Sequence, residues 1–212
     1  MADIVSSKVV RYLDQILPAR GEVITAMERE AKRRDIPIVG PHVGRLLATL
    51  ATAVNARRVF ELGSAIGYST LWLCLGSSPR VRVHYTDRSE AYAEEARVYL
   101  DRAGFTNRVK FHVVPEALDA LAVVPGQFDI IFNDLDKEGY PRVLEAAIPR
   151  IRIGGLYIAD NCLWSGRVTD GRARDAETRA LREHNQKAMD DARLLGVILP
   201  IRDGVFVGTR IQ

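Results

Sequence analysis

From Arg57 onward the chain alternates short apolar runs with segments of helical character. The apolar runs are Val59-Phe60-Glu61-Leu62, Val81 to Thr86, Val109 to Val114, Phe128 to Phe132 and Leu156 to Ala159. Between them lie Ser69 to Leu75, Glu90 to Ala103, Glu116 to Val123 and Tyr140 to Ile151. That alternation predicts an α/β fold, a mostly parallel sheet with helices on both faces. The tail breaks the rhythm. Leu194 to Ile201 and Val205 to Arg210 are two strand-like runs joined by Arg202-Asp203-Gly204, which predicts an antiparallel hairpin closing one edge.

The first 56 residues have a different texture. Val9, Val10, Leu13, Ile16 and Leu17 recur at helical spacing until Pro18 and Gly21 interrupt them. A second helix is expected through Val23, Ile24 and Met27 into the charged stretch Glu28 to Asp35, and a third over Val43 to Val54. The expected organisation is one domain over residues 1–212, with 1–56 a helical cap and 57–212 the α/β core.

The chain has 47% hydrophobic and 27% charged residues, enough to bury a core and remain soluble. Its formal charge is only +3, so nothing global demands a polyanionic partner. Two isolated cysteines, Cys74 and Cys162, make neither a disulfide framework nor a zinc site. No signal-peptide pattern or membrane-length apolar run is visible, and a cytoplasmic protein is expected.

Four carboxylates fall at or beside the carboxyl ends of predicted strands: Glu61, Asp87, Asp134 and Asp160. In open α/β sheets ligands bind outside those ends, so the four are expected to converge on one crevice. A single acid at such a place is an ordinary cap or turn residue; four on four strands of one sheet are not.

The first strand opens into Glu61-Leu62-Gly63-Ser64-Ala65-Ile66-Gly67-Tyr68-Ser69. Gly63 allows a tight turn and close backbone approach to a ligand, and Ser69 offers a hydroxyl. Gly63 and Gly67 are four apart with no glycine between, so this is not the G-x-G-x-x-G of dinucleotide sites. Asp87 is placed to accept hydrogen bonds from both hydroxyls of a ribose. A ribose held without a pyrophosphate cradle favours a nucleoside-like cofactor, which S-adenosylmethionine fits.

Phe132-Asn133-Asp134-Leu135-Asp136-Lys137 and Ala159-Asp160-Asn161 end the next two strands. Asp134, Asp160 and the amide oxygen of Asn161 form a hard, all-oxygen set suited to Mg²⁺ above all, or to Mn²⁺ or Ca²⁺. Asp136 is assigned to the cofactor side. Lys137 can reach a hydroxyl beside Asp134 and act as its base, because a nearby cation favours a neutral amine.

These segments resemble the cation-dependent O-methyltransferases, the family of the catechol and caffeoyl-coenzyme A enzymes and their bacterial relatives. The most specific pieces are Glu61 to Ser69, Asp134 to Tyr140, and Asp160-Asn161-Cys162-Leu163-Trp164-Ser165-Gly166. The resemblance implies a Rossmann-like class I methyltransferase sheet. It implies that Glu61, Gly63, Ser64 and Ser69 lie at the methionine part of the cofactor, that Asp87 binds ribose, and that Val39, Ala117 and Asp136 line the same cofactor. It implies metal ligation by Asp134, Asp160 and Asn161, Lys137 as base, and a homodimer through the N-terminal helices. The chain departs from the family at Asn133 and Leu135, at Val114-Pro115, and at Ser165, where the plant enzymes usually carry asparagine.

The expected activity is S-adenosylmethionine-dependent, metal-dependent O-methylation of a small catechol-like or vicinal-diol acceptor. The alternatives are a tRNA hydroxyuridine methyltransferase of the same family, an NAD-dependent dehydrogenase and a non-catalytic cofactor-binding protein. The segment Gly166 to Arg182, with five arginines diluted by Asp170, Asp175 and Glu177 and no aromatic for stacking, favours the small molecule over tRNA. His42, His84, His112 and His184 share no local motif and are read as surface or packed residues.

Overall fold

The computed structural model describes residues 5–212. In chain order its elements are α1 (Ser7–Ile16), α2 (Glu22–Arg34), α3 (Gly40–Ala53), β1 (Arg58–Leu62), α4 (Tyr68–Gly76), β2 (Arg82–Asp87) and α5 (Glu90–Arg102). They continue with β3 (Val109–Val113), α6 (Ala117–Val123), β4 (Phe128–Asn133), α7 (Tyr140–Ala147), β5 (Ile151–Ala159), α8 (Ala176–Asp190), β6 (Leu194–Leu199) and β7 (Val205–Arg210). The strands form a mostly parallel seven-stranded sheet in the order β3-β2-β1-β4-β5-β7-β6, with an antiparallel hairpin at its end, as the alternation of elements in the sequence predicts. Contacts divide the described chain into two compact units, Ala19–Ile130 and residues 5–18 with 131–212.

Within Ala19–Ile130, β1 pairs in parallel with β2, and β2 with β3. Val59, Phe60, Glu61 and Leu62 of β1 are all fully buried, as expected of a central strand covered on both faces. The helix α4 is buried from Tyr68 to Cys74, which explains an apolar run without helical periodicity. His84 and His112, on β2 and β3, share a hydrogen bond of 2.9 Å between Nδ1 and Nε2 and stack on Phe60. They are packed residues, as expected.

In the other unit, β5 pairs antiparallel with β7, and β7 with β6. Pro149 ends the α7 segment in a turn of 3-10 helix over Ile148–Arg150, and β5 starts at Ile151, ahead of the Leu156 expected. The segment Gly166 to Arg182 includes regular structure. A 3-10 turn covers Trp164–Thr169, and α8 starts at Ala176, capped by Asp175, whose Oδ1 accepts from Thr178 N at 3.0 Å. Its inward positions are Thr178, Leu181, His184 and Ala188, of which only two are apolar, so hydrophobic periodicity gave little sign of it.

Candidate functional site

The first group of site residues belongs to Ala19–Ile130. Gly63 and Gly67 both have left-handed backbones, with φ of +83° and +82°. At Gly67 a Cβ would lie 2.9 Å from that of Ala96, so glycine lets the β1–α4 turn rest against α5. Glu61 is buried at the end of β1, and its Oε2 accepts from Ser64 Oγ at 2.8 Å and from Thr70 Oγ1. Ser64 Oγ accepts from Thr86 N at 3.2 Å, and Ser64 N donates to Thr86 O at 2.9 Å. The loop is thus tied to the end of β2.

Asp87 completes that tie. Its Oδ2 accepts from Ala65 N at 2.9 Å and its Oδ1 from Ser89 N at 2.8 Å. An ionised carboxylate has about four acceptor directions. Two backbone bonds orient the group and leave one direction on each oxygen for a diol. Glu61, Ser64 and Asp87 are therefore joined through one hydrogen-bonded loop that includes Gly63. Ser69 is buried on α4, Val39 caps α3 from a buried position, and Ala117 is the buried first residue of α6. Asp136 belongs to the other unit, where it is exposed at the start of the Lys137–Gly139 turn.

The second group lies wholly in residues 131–212. Asp160 follows β5 and its backbone N donates to Asn133 O at 3.1 Å. Its side chain is 1% exposed, and neither carboxylate oxygen has a hydrogen bond of good geometry, although Asn161 N and the Arg202 guanidinium lie near enough to favour the charged form. Burial, and then the charge of Asp134, push its carboxyl up from the usual range. Burial raises Asp134 as well, against the opposing pull of Lys137. A desolvated carboxylate with unused oxygens, as at Asp160, is costly unless a cation joins it, whereas Asp134 is 23% exposed and already paired with Lys137. Asn161 has a left-handed backbone, φ +58°, and its Nδ2 donates to Asp203 Oδ2 at 3.4 Å, so its oxygen is the atom left over for a ligand. Two carboxylates and an amide fit a hard divalent ion. Among the described residues no cluster of three or more His, Cys, Asp or Glu side chains is placed to hold a metal; the set here has two carboxylates and takes its third oxygen from an amide.

Lys137 is buried and gives its Nζ to Asp134 Oδ1 at 3.1 Å, Leu135 O at 3.0 Å and Tyr140 Oη at 3.0 Å. Three acceptors suit an ammonium group, which has three donors. Tyr140 Oη in turn donates to Asp160 O at 2.9 Å, and burial holds its phenol well above the ordinary value. Sequence reasoning named Tyr140 as a helix start and as the end of the Asp134 to Tyr140 segment, without a role for its hydroxyl. It also passed over Asp203, which accepts from Ser165 N as well as from Asn161, and Arg202, whose Nη1 is 3.7 Å from Asp160 Oδ2. Nothing marked that Arg-Asp-Gly run as more than a turn.

Of the departures noted in the sequence, Asn133 and Leu135 have a local explanation. Asn133 is buried, with Nδ2 donating to Tyr157 Oη and Oδ1 accepting from Leu135 N, both at 3.4 Å. Cys162 is buried, its Sγ 3.4 Å from Ala159 O, and burial pushes its thiol up to about 12, a packed rather than reactive sulfur.

Residues 19–211 match the family model described as O-methyltransferase. A catechol O-methyltransferase of Mycobacterium tuberculosis is 36% identical over 174 residues, 81% of this chain and 78% of that protein. An O-methyltransferase from Bacillus cereus, solved in complex with S-adenosylhomocysteine (SAH), superposes with a TM-score of 0.86 at 28% identity, covering 96% of this chain and 97% of that one. The Streptomyces achromogenes enzyme TomG, solved with S-adenosylmethionine (SAM) and involved in tomaymycin synthesis, gives 0.87 at 26% identity over 100% of both chains. With the family model spanning nearly all of it, the chain belongs to the O-methyltransferase family.

Proposed function

We propose that this S-adenosylmethionine-dependent O-methyltransferase uses a divalent metal ion, Mg²⁺ by preference, and methylates one hydroxyl of a small acceptor with adjacent oxygens. The observation that carries the metal is Asp160: a buried carboxylate whose two oxygens lack a well-formed hydrogen bond, beside a second carboxylate. The acceptor class is supported by relatives named catechol and caffeoyl-CoA O-methyltransferase.

In this reading Asp87 accepts the ribose hydroxyls of the cofactor, and Glu61, through Ser64 and Thr70, fixes the loop beside it. Val39, Ser69 and Ala117 would line the same cofactor. Asp134, Asp160 and Asn161 hold the ion. A divalent ion held there would supply Lewis acidity to an acceptor hydroxyl and would balance the Asp134 charge that Lys137 now neutralises. Lys137, 3.1 Å from Asp134 Oδ1, would serve as the base after giving its own ammonium proton to solvent, and would then take the proton of the acceptor hydroxyl. The acceptor oxygen then attacks the sulfonium methyl carbon, the carbon–sulfur bond breaks, and S-adenosylhomocysteine leaves.

Transfer to tRNA is disfavoured by two of the five arginines of the Gly166 to Arg182 segment. Arg167 pairs with Asp175 at 2.6 Å, and Arg182 donates to the carbonyls of Val168, Ala173 and Arg167. Guanidinium groups spent on their own chain are poorly available to phosphates. A homodimer is supported by α1, which exposes Val9, Tyr12, Leu13 and Ile16 along its length. No helix of the described residues is long and apolar enough to cross a membrane.

Incubation with labelled S-adenosylmethionine, Mg²⁺ and either catechol or bulk tRNA tests the reading. Label on catechol supports it; label on tRNA alone overturns the acceptor assignment.

A further inference from the structure

Arg202 occupies the turn between β6 and β7 with φ +51°, a left-handed conformation that costs a non-glycine residue free energy. The turn is rigidly tied to the loop after β5. Cys162 N donates to Gly204 O and Leu163 N to Asp203 O, both at 2.8 Å, and Asp203 accepts from Ser165 N and Asn161 Nδ2. At Gly204 a Cβ would strike the Leu163 side chain at 2.4 Å, so the two segments are in close contact. This framework sets the Arg202 side chain against Asp160.

The pairing is incomplete. Nη1 is 3.7 Å from Asp160 Oδ2, beyond hydrogen-bond range, and the arginine side chain is 45% exposed while the carboxylate is 1% exposed. An arginine retained only to neutralise a buried carboxylate would be expected to close on it with hydrogen bonds. Here the charge is delivered to the ligand-binding acid, and the donors are left toward solvent. A divalent ion on Asp160 would repel the guanidinium and leave its fork of donors beside the acceptor.

We propose that Arg202 is a specificity-determining residue that recognises an anionic group, a carboxylate in the first instance, on the acceptor whose hydroxyl is methylated. This rests on the proposed metal-dependent transfer to a vicinal diol and narrows its substrate to an aromatic or aliphatic diol acid.

The test compares 3,4-dihydroxybenzoate with catechol, at saturating Mg²⁺ and cofactor, for wild type, Arg202→Gly, Arg202→Gln and Arg202→Lys. The glycine variant suits the left-handed backbone, so its melting temperature should equal or exceed that of wild type. The expected result is a preference for the acid in kcat/KM that falls about 10- to 100-fold in the glycine and glutamine variants and recovers in part with lysine, the range of a charge-assisted hydrogen bond. Calorimetric binding of the acid to the Mg²⁺ and S-adenosylhomocysteine complex should weaken in parallel, a reading independent of turnover. Metal-dependent turnover of catechol with an acid-to-catechol ratio equal in all four proteins overturns the role of Arg202 alone. If neither compound is methylated, the proposed reaction fails. Binding of the acid that does not change among the proteins, or is absent from wild type, overturns the inference separately.

Discussion

Lys137 Nζ donates to the Tyr140 hydroxyl at 3.0 Å, and that hydroxyl donates to the carbonyl of Asp160 at 2.9 Å. One buried phenol therefore joins the proposed base to the backbone of a proposed metal ligand. Tyr140→Phe leaves the Asp160 carbonyl and one lysine hydrogen unsatisfied in a buried place, and is expected to cost about 1–3 kcal/mol of stability. Urea unfolding of the two proteins measures it; an unchanged midpoint would mean that the hydroxyl contributes nothing.

Removing the amine tests chemistry rather than packing. Lys137→Ala is expected to lower kcat by roughly 10²- to 10⁴-fold, the usual contribution of a general base, with S-adenosylmethionine affinity within about twofold of wild type. Stopped assays and calorimetry separate the two quantities. A near-normal kcat would remove Lys137 from the proton transfer.

Asp87 carries the cofactor prediction. Asp87→Ala loses the proposed ribose acceptor and also the anchor for Ala65 N and Ser89 N. A charged hydrogen-bonding group of this kind contributes about 1.5–3 kcal/mol, so affinity should fall by roughly 10- to 100-fold. Calorimetry with S-adenosylmethionine gives the answer directly, and equal affinity would place the ribose elsewhere.

The strand positions and the strand-end acids were legible in the sequence because buried parallel strands read as apolar runs and a carboxylate interrupts them visibly. Asp87 closes β2, and Asp134 and Asp160 follow β4 and β5 directly. What was not legible depends on contacts far apart in the chain. The helix α8 buries a threonine and a histidine among its inward residues, so its periodicity is weak. Arg202 reads as a polar turn residue until the hairpin is seen docked on the loop from Asp160 to Ser165. Tyr140 looks like one more aromatic at a helix start, and only the two hydrogen bonds of its hydroxyl show its place.

His184 should make stability depend on pH. It is fully buried, with Nε2 3.1 Å from Tyr157 Oη and Nδ1 3.1 Å from Asn185 Oδ1, and burial lowers it to about 4 from an ordinary 6.5. The folded protein keeps it neutral while the unfolded chain takes up a proton below pH 6.5. Its contribution is therefore present above that pH and lost as pH falls toward 4, by up to about 3 kcal/mol. His184→Gln should flatten the fall in unfolding free energy between pH 6.5 and 4, leaving the part due to His84, which is also lowered to about 4. Parallel pH profiles for variant and wild type would contradict the assignment.

The central claim is that Asp134, Asp160 and Asn161 hold a divalent ion without which no methyl group moves. The most direct measurement is methyl transfer from labelled S-adenosylmethionine to catechol after exhaustive chelation, then with Mg²⁺ restored, in wild type and Asp160→Ala. The account predicts no transfer in chelator, recovery with Mg²⁺ in wild type, and no recovery in Asp160→Ala, which still binds S-adenosylmethionine. Full turnover in chelator, or an Asp160→Ala protein as active as wild type, would contradict it.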